Sequence, residues 1–207
     1  MFAGKTIWEI VQIGGFAMYI LIFCSILSVA IFLERIIYYR KRSKTKRAEF
    51  MTRTAGVLRM GDIEKAMEIC KETLTPFSRV VYCGLQHYGH RERAISNAME
   101  REIRSETTKL ERSISIVGTI GNTAVYIGLF GTVLGIIRAF HDIATAGAGG
   151  MSIVIGGVAE ALVCTAAGLF VAIPAVIAFN YFTRKVEHFI NDMESCASEL
   201  VDLIGEE

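Results

Sequence analysis

The sequence contains 207 residues, of which 52% are hydrophobic and 21% are charged, and its formal net charge is only +1. The charges lie in blocks separated by long apolar runs, whereas a water-soluble domain spreads its charges along the chain. This pattern excludes an ordinary soluble domain, and the near-neutral balance gives no reason to expect nucleic acid as a partner.

Three runs without Asp, Glu, Lys or Arg define the predicted membrane segments. They lie between Glu9 and Glu34, between Arg112 and Arg138, and between Glu160 and Arg184. Each exceeds the roughly 20 apolar residues that a helix needs to cross about 30 Å of hydrocarbon. We therefore predict an all-α membrane protein whose three transmembrane helices occupy residues 10–33, 113–140 and 153–183.

A cluster of basic residues follows the first apolar run. Its members are Arg40, Lys41, Arg42, Lys44, Lys46 and Arg47, whereas only Lys5 precedes that run. We interpret the cluster as a topogenic signal, because cytoplasmic loops next to membrane segments are enriched in Lys and Arg. The rule places residues 1–9 and 141–152 outside and residues 34–112 and 184–207 in the cytoplasm.

The cytoplasmic residues are predicted to be helical. Asp62 can cap a helix that ends before Pro76, and a second helix runs from Pro76 to the break at Gly89. From Arg91 the sequence has no Pro or Gly until Gly118, so we expect one long helix that continues into the second membrane segment. The third segment is expected to extend in the same way, and the two extensions are expected to pack as a bundle.

Small residues recur at three- and four-residue steps on the second and third membrane segments. The predicted packing positions are Gly128, Gly131, Gly135, Ala161 and Gly168, and Pro174 lies in the second half of the third segment. Small side chains allow helices to approach closely in lipid, so these faces are predicted to pack against other helices.

Three polar residues of these segments are candidates for function. Thr132 and Thr165 are the hydroxyls near the middle of the small-residue faces, and Glu160 is a carboxylate in the third segment. A membrane threonine commonly bonds the carbonyl four residues earlier, so structural and pore-lining roles both remain open. An ionisable residue in the membrane usually marks an ion pathway. Glu160 and Thr165 are five residues apart, about 140° around a straight helix, so both cannot face one axis squarely.

Other chemistry is not indicated. The five cysteines form no C-x-x-C pair, the four histidines do not cluster, and no phosphate-binding G-x-x-x-x-G-K-[ST] motif occurs. We therefore predict no metal site, no cofactor and no enzymatic activity.

The stretch GLFGTVLG, followed by AEALVCTAAGLFVAIPA, resembles the MotA/TolQ/ExbB proton-channel family, and specifically its three-span ExbB/TolQ branch. The resemblance implies a multi-pass protein of the bacterial inner membrane, with a periplasmic N-terminus and a cytoplasmic C-terminus. It also implies a homopentameric ring around an ExbD/TolR-like single-span partner carrying a membrane Asp, with a TonB/TolA-like protein as a further partner. Thr132, Thr165 and Glu160 would then belong to the proton pathway.

The function implied by this resemblance is that of a proton-channel subunit. Such a motor couples the proton motive force to work on the cell envelope or to transport across the outer membrane. Two alternatives stay open: a flagellar stator subunit of the MotA type, and a passive membrane scaffold. The family tends to have a proline before the GLFGTVLG motif, where this chain has Ala124, Val125 and Tyr126.

Overall fold

The computed structural model describes residues 15–146 and 150–205, and within these ranges the chain forms helices and turns with no strand. Seven helices follow one another in these ranges: α1 (Gly15–Arg42), α2 (Arg47–Leu58), α3 (Ile63–Glu72), α4 (Pro76–Gln86), α5 (Glu92–Glu111), α6 (Ile114–Ala146) and α7 (Gly150–Gly205). Three helical segments, which begin with α1, α6 and the apolar part of α7, are long and apolar enough to cross a membrane. The all-helical class and the three apolar helices are thus confirmed.

The chain divides into two compact units. The apolar unit contains the described residues up to Phe32 together with Ser113–Asn180, and the polar unit contains Leu33–Arg112 together with the chain from Tyr181 onward. Helices α1 and α7 each contribute residues to both units.

The apolar unit carries large hydrophobic side chains on its outside. Phe23 is 66% exposed, Tyr126 71% and Phe170 78%. Small residues are buried between its helices, and Ala124, Ala161 and Ala175 are almost completely covered. An exposed apolar surface of this kind suits lipid or another apolar helix and not water.

The polar unit has a conventional hydrophobic core. The last part of α7 buries a stripe that includes Val186, Met193 and Leu200, and these apolar residues recur at helical spacing in the sequence. The predicted start of α3 is also confirmed, because the Asp62 carboxylate accepts a hydrogen bond of 3.0 Å from the Lys65 amide. Pro76 occupies the first turn of α4, where a missing amide costs nothing.

The prediction of one helix from Arg91 into the second membrane segment is wrong. Helix α5 ends at Glu111 and α6 starts at Ile114, with Ser113 between them at a φ of 65°. The break leaves the last carbonyls of α5 without helical partners. Arg35 reaches the carbonyls of Lys109 and Leu110 at 3.3 and 3.4 Å, and the Tyr39 hydroxyl donates to Leu110 at 2.7 Å. These long-range bonds stabilise a break that no Pro or Gly in the sequence predicts.

The predicted extension of the third membrane segment is correct, since α7 runs as one helix for 56 residues. The helices flanking the predicted loop 141–152 are longer than expected. Helix α6 continues to Ala146 and α7 already begins at Gly150, because His141–Ala146 contains no helix breaker. Helix α6 is also continuous through Ala124, Val125 and Tyr126.

Candidate functional site

Helices α6 and α7 of the apolar unit are packed antiparallel through their glycines. A Cβ atom placed on Gly121 would lie 2.8 Å from a Val176 methyl carbon, and one on Gly135 would lie 2.6 Å from the Ala161 methyl carbon. The later a residue occurs in α6, the earlier its neighbour occurs in α7. Side chains larger than hydrogen are excluded at these α6 positions by the facing helix.

The closest approach joins two glycine backbones. A Cβ on Gly128 would lie 2.7 Å from the Cys164 carbonyl oxygen, and one on Gly168 would lie 2.6 Å from the Ala124 carbonyl oxygen. Because the obstacles are backbone atoms, no side-chain rearrangement could relieve these overlaps.

Helix α1 joins the same contact region at Gly131. A Cβ on this glycine would lie 2.9 Å from the Cβ atoms of both Ala17 and Cys164. Ala17 and Cys164 are 3% and 1% exposed, so the three helices of the apolar unit enclose this point completely.

The predicted threonines meet at this interface. The hydroxyls of Thr132 on α6 and Thr165 on α7 share a hydrogen bond. The Thr132 hydroxyl also lies 3.1 Å from the carbonyl of Gly128 in its own helix and 3.3 Å from the carbonyl of Ala161 in α7. Thr132 therefore makes two kinds of bond. One goes to the carbonyl four residues earlier, as expected of a membrane threonine, and the others join it to helix α7.

A hydroxyl has a single proton, and this limits which of these hydrogen bonds can form at the same time. Thr132 can donate to only one acceptor at a time. When it donates to a carbonyl, the hydroxyl of Thr165 must supply the proton of the bond between the threonines. Thr132 is only 7% exposed, whereas Thr165 is half-buried. Thr165 is thus the accessible end of a short, ordered chain of hydrogen bonds.

Glu160 and Pro174 are two further predicted residues of α7. Glu160 is half-buried in α7, immediately before Ala161. The threonine hydroxyls bond each other and backbone carbonyls. Pro174 is exposed, although Val171 and Ala175 on the same helix are buried. In the described residues no three His, Cys, Asp or Glu side chains are grouped as metal ligands.

A second polar cluster, absent from the sequence-based predictions, lies in the polar unit around Glu106. The Glu106 side chain is fully buried, and its oxygens lie 2.6 Å from Arg42, 2.7 Å from Lys109 and 3.3 Å from Arg79. Burial by itself would raise the pKa of Glu106, but the hydrogen bond from Lys109 and the charges of Arg42 and Arg79 outweigh it and lower the pKa below its ordinary value. The spacing of Glu106 and Lys109 on α5 was the one local sign of this cluster.

Two residues of the predicted topogenic cluster are used in ion pairs. Arg42 belongs to the Glu106 cluster, and Arg47 bonds Glu199 near the end of α7. The hydrogen bond to Glu199 is the main reason that the pKa of Arg47 is raised. These basic residues therefore hold α1 and α2 to the rest of the polar unit, whatever their part in membrane insertion.

Comparisons with known proteins give one consistent result. Residues 72–195 match the model of the MotA/TolQ/ExbB proton channel family. The Tol-Pal system protein TolQ of Pseudomonas aeruginosa is 45% identical over 105 residues, which cover 51% of this chain and 46% of that protein. The biopolymer transport protein ExbB of Xanthomonas campestris is 35% identical over 146 residues, which cover 63% and 58%.

A further relative is matched over more of its length. The biopolymer transport protein ExbB of Neisseria gonorrhoeae is 34% identical over 152 residues, which cover 67% of this chain and 69% of that protein. The first two relatives are matched over about half of their own length, 46% and 58%. The matched residues 72–195 include the glycine interface and both threonines.

Proposed function

Since the chain belongs to the MotA/TolQ/ExbB proton channel family, we propose that it is the ring-forming subunit of an inner-membrane motor of the ExbB–ExbD or TolQ–TolR type. In this motor five copies surround the membrane helices of a single-span partner, and proton flow moves the partner. The N-terminus is periplasmic and the C-terminus is cytoplasmic. The motor performs work on the cell envelope or drives transport across the outer membrane. A TonB/TolA-like protein transmits this work.

The observation that carries this proposal is the hydrogen-bond chain of Thr165 and Thr132. Hydroxyls can both donate and accept, so they can pass a hydrogen bond along or hold a water molecule. They have no accessible pKa with which to store a proton. A group that binds and releases the proton must therefore face Thr165, and the membrane Asp of the partner is that group. Thr165 is the threonine that a partner helix could reach, because Thr132 is enclosed.

The packing of the apolar unit supports a lining role for α6 and α7. Their shared interface is fixed by backbone contacts, so the pair is suited to act as one rigid wall. The exposed apolar side chains on the remaining faces suit neighbouring copies and lipid. Glu160 is assigned a structural and gating role near the pathway, because it is five residues from Thr165 and so about 140° away from it around a straight helix.

Proton flux separates this proposal from a passive scaffold. The protein should be reconstituted in vesicles with and without its single-span partner, and internal pH followed after a membrane potential is imposed. We expect flux only when both proteins are present, and we expect a Thr165→Val variant to reduce it while the complex still assembles. Equal flux from wild-type and variant complexes would contradict the hydroxyl pathway. No flux from any complex that native mass spectrometry shows to be intact would favour the scaffold.

A further inference from the structure

A cleft in the polar unit lies between the end of α1 and the stretch of α7 just after residue 180. It has a volume of about 270 Å³ and is lined by Ile36, Tyr39, Arg40, Ser43, Tyr181 and Lys185. Two of the six residues are cations and none is acidic. The cleft is therefore positively charged and opens beside the predicted cytoplasmic ends of the first and third membrane segments.

The two cations of the cleft are not used in ion pairs, unlike three nearby arginines. Arg35 pairs with Glu34, Arg42 with Glu106 and Arg47 with Glu199. Neither Arg40 nor Lys185 has an acidic partner among the described residues, and Lys185 lies 5.5 Å over the ring of Phe189. Their charges are thus available to an anion from outside the chain.

The hydrogen-bond donors of the cleft also suit a phosphate. Arg40 offers a planar guanidinium, Lys185 an ammonium group and Ser43 a hydroxyl. Tyr39 contributes no donor, because its hydroxyl proton is already given to the Leu110 carbonyl at 2.7 Å. These three groups, together with the Tyr181 hydroxyl, can donate to the oxygens of one phosphodiester.

Exposed apolar or aromatic side chains lie one or two turns to the membrane side of each cation. On α1, Leu33 and Ile37 are 55% and 56% exposed and precede Arg40 by seven and three residues, which places them on its side of the helix. On α7, Tyr181 is 55% exposed and precedes Lys185 by four residues. Arg40 above the apolar stripe of Leu33 and Ile37, with Lys185 beside the ring of Tyr181, matches a molecule with an anionic head and a hydrocarbon tail.

We propose that this cleft binds the headgroup phosphate of an anionic phospholipid of the cytoplasmic leaflet, with the acyl chains against Leu33 and Ile37. A free phosphate ion would use the cations but not the apolar stripe. The proposal uses the membrane placement of the proposed function but is independent of proton transfer. A failure of lipid selection would therefore leave the proton-flux experiment unaffected.

Native mass spectrometry of the purified full-length protein tests the proposal. The protein is incubated with equal amounts of phosphatidylglycerol and phosphatidylcholine of the same acyl chains, and the ratio of the two bound lipids is measured. We expect a preference for phosphatidylglycerol that falls about fivefold in each of Arg40→Gln and Lys185→Gln, since a basic residue near an anionic lipid contributes roughly that factor. Arg40→Lys should retain most of the preference, and the oligomer mass should be unchanged in every variant.

Lys44→Gln is the matched control, because Lys44 is exposed in the same basic segment but does not line the cleft. An equal fall in Lys44→Gln would show a diffuse basic surface and overturn the assignment. So would equal binding of the two lipids by the wild type, or an unchanged ratio in both cleft variants. If millimolar inorganic phosphate removes the preference while Leu33→Ser and Ile37→Ser leave it intact, the site binds a soluble anion and the lipid assignment is wrong.

Discussion

A Cβ atom on Gly128 would lie 3.0 Å from the Cα atom of Gly168, and a Cβ on Gly168 would lie at the same distance from the Cα of Gly128. The two residues thus exclude side chains from each other, and the backbones of α6 and α7 touch at this point. The threonine pair lies within one helical turn of it, at Thr132 and Thr165. The geometry of the hydrogen-bond chain therefore depends on a contact between two residues without side chains.

The first prediction concerns that contact. Gly128→Ala and Gly168→Ala should each destabilise the protein by about 1 to 3 kcal/mol, because the added methyl group overlaps backbone atoms that cannot rotate away. Gly156→Ala is the control, since a Cβ on this α7 glycine meets no atom within 4 Å. Thermal unfolding in detergent measures the three variants. Equal melting temperatures for Gly156→Ala and Gly168→Ala would show that α6 and α7 can move apart at this contact with no loss of stability.

The second prediction concerns the two hydroxyls. Thr132→Val and Thr165→Val keep the shape of the side chain and remove its hydrogen bonds, so proton flux with the partner should fall, while Thr132→Ser and Thr165→Ser should retain it. Loss of the buried bonds of Thr132 should also cost about 1 kcal/mol of stability.

Thr123→Val is the control for both effects. Thr123 is exposed on the same helix, and its hydroxyl bonds the Thr119 carbonyl at 2.7 Å. This variant should keep full flux and near-normal stability. If it reduces flux as much as Thr132→Val does, the effect belongs to helix α6 in general and not to the pair.

The third prediction concerns Glu106. Glu106→Gln should lower the free energy of unfolding by about 2 kcal/mol, because Arg42 and Lys109 lose the carboxylate that they bond inside the polar unit. Glu100→Gln on the same helix should cost less than about 0.5 kcal/mol, since Glu100 pairs with Arg104 on the surface. Chemical denaturation followed by circular dichroism compares the two variants. Equal losses in the free energy of unfolding would mean that the burial of Glu106 does not strengthen its ion pairs.

The fourth prediction concerns acid. The pKa of Glu106 is lowered by folding, so its carboxylate stabilises the folded state at pH values above the ordinary range of a glutamate, about 4.3. That contribution is lost as the pH falls through this range toward the lower pKa of the folded protein. The difference in stability between wild type and Glu106→Gln should therefore be constant near neutral pH and shrink below about pH 4. If the difference in stability between wild type and Glu106→Gln grows on acidification, the pKa of Glu106 must be raised in the folded protein and not lowered.

The fifth prediction separates two roles of Glu160. If this residue has a structural and gating role, Glu160→Gln keeps a hydrogen-bonding side chain and should be milder than Glu160→Ala when proton flux is measured. Complete loss of flux in both variants would instead identify an obligatory proton carrier.

Much of this architecture follows from simple sequence patterns. The charge-free runs identify the three apolar helices, the Asp62 cap and Pro76 delimit α3 and α4, and the apolar stripe from Val186 to Leu200 anticipates the packing of α7. Each of these signals is local, because it depends on residues within a few turns of one helix. The recurrence of small residues likewise marks the faces on which Gly128 and Gly168 lie.

The features that escaped prediction depend on residues far apart in the chain. The break after α5 is stabilised by Arg35 and Tyr39, which lie more than 70 positions earlier. The burial of Glu106 requires Arg42, 64 positions away, and Arg79. Charge alone placed Arg42 in a topogenic cluster, since no local pattern indicates which basic residue finds a carboxylate in the folded chain.

The break at Arg112 and Ser113 also decides how local unfolding can spread. In an α-helix each amide bonds the carbonyl four residues earlier, so the opening of one turn weakens the next turn. This series of bonds stops at Glu111, and fraying of α5 cannot propagate into the helix that carries Thr132. Helix α7, which carries Thr165, continues over all its 56 residues and lacks a single bond of this series, at Pro174. The two hydroxyls that share one bond therefore belong to helices of different cooperativity, one insulated from the polar unit and one continuous with it.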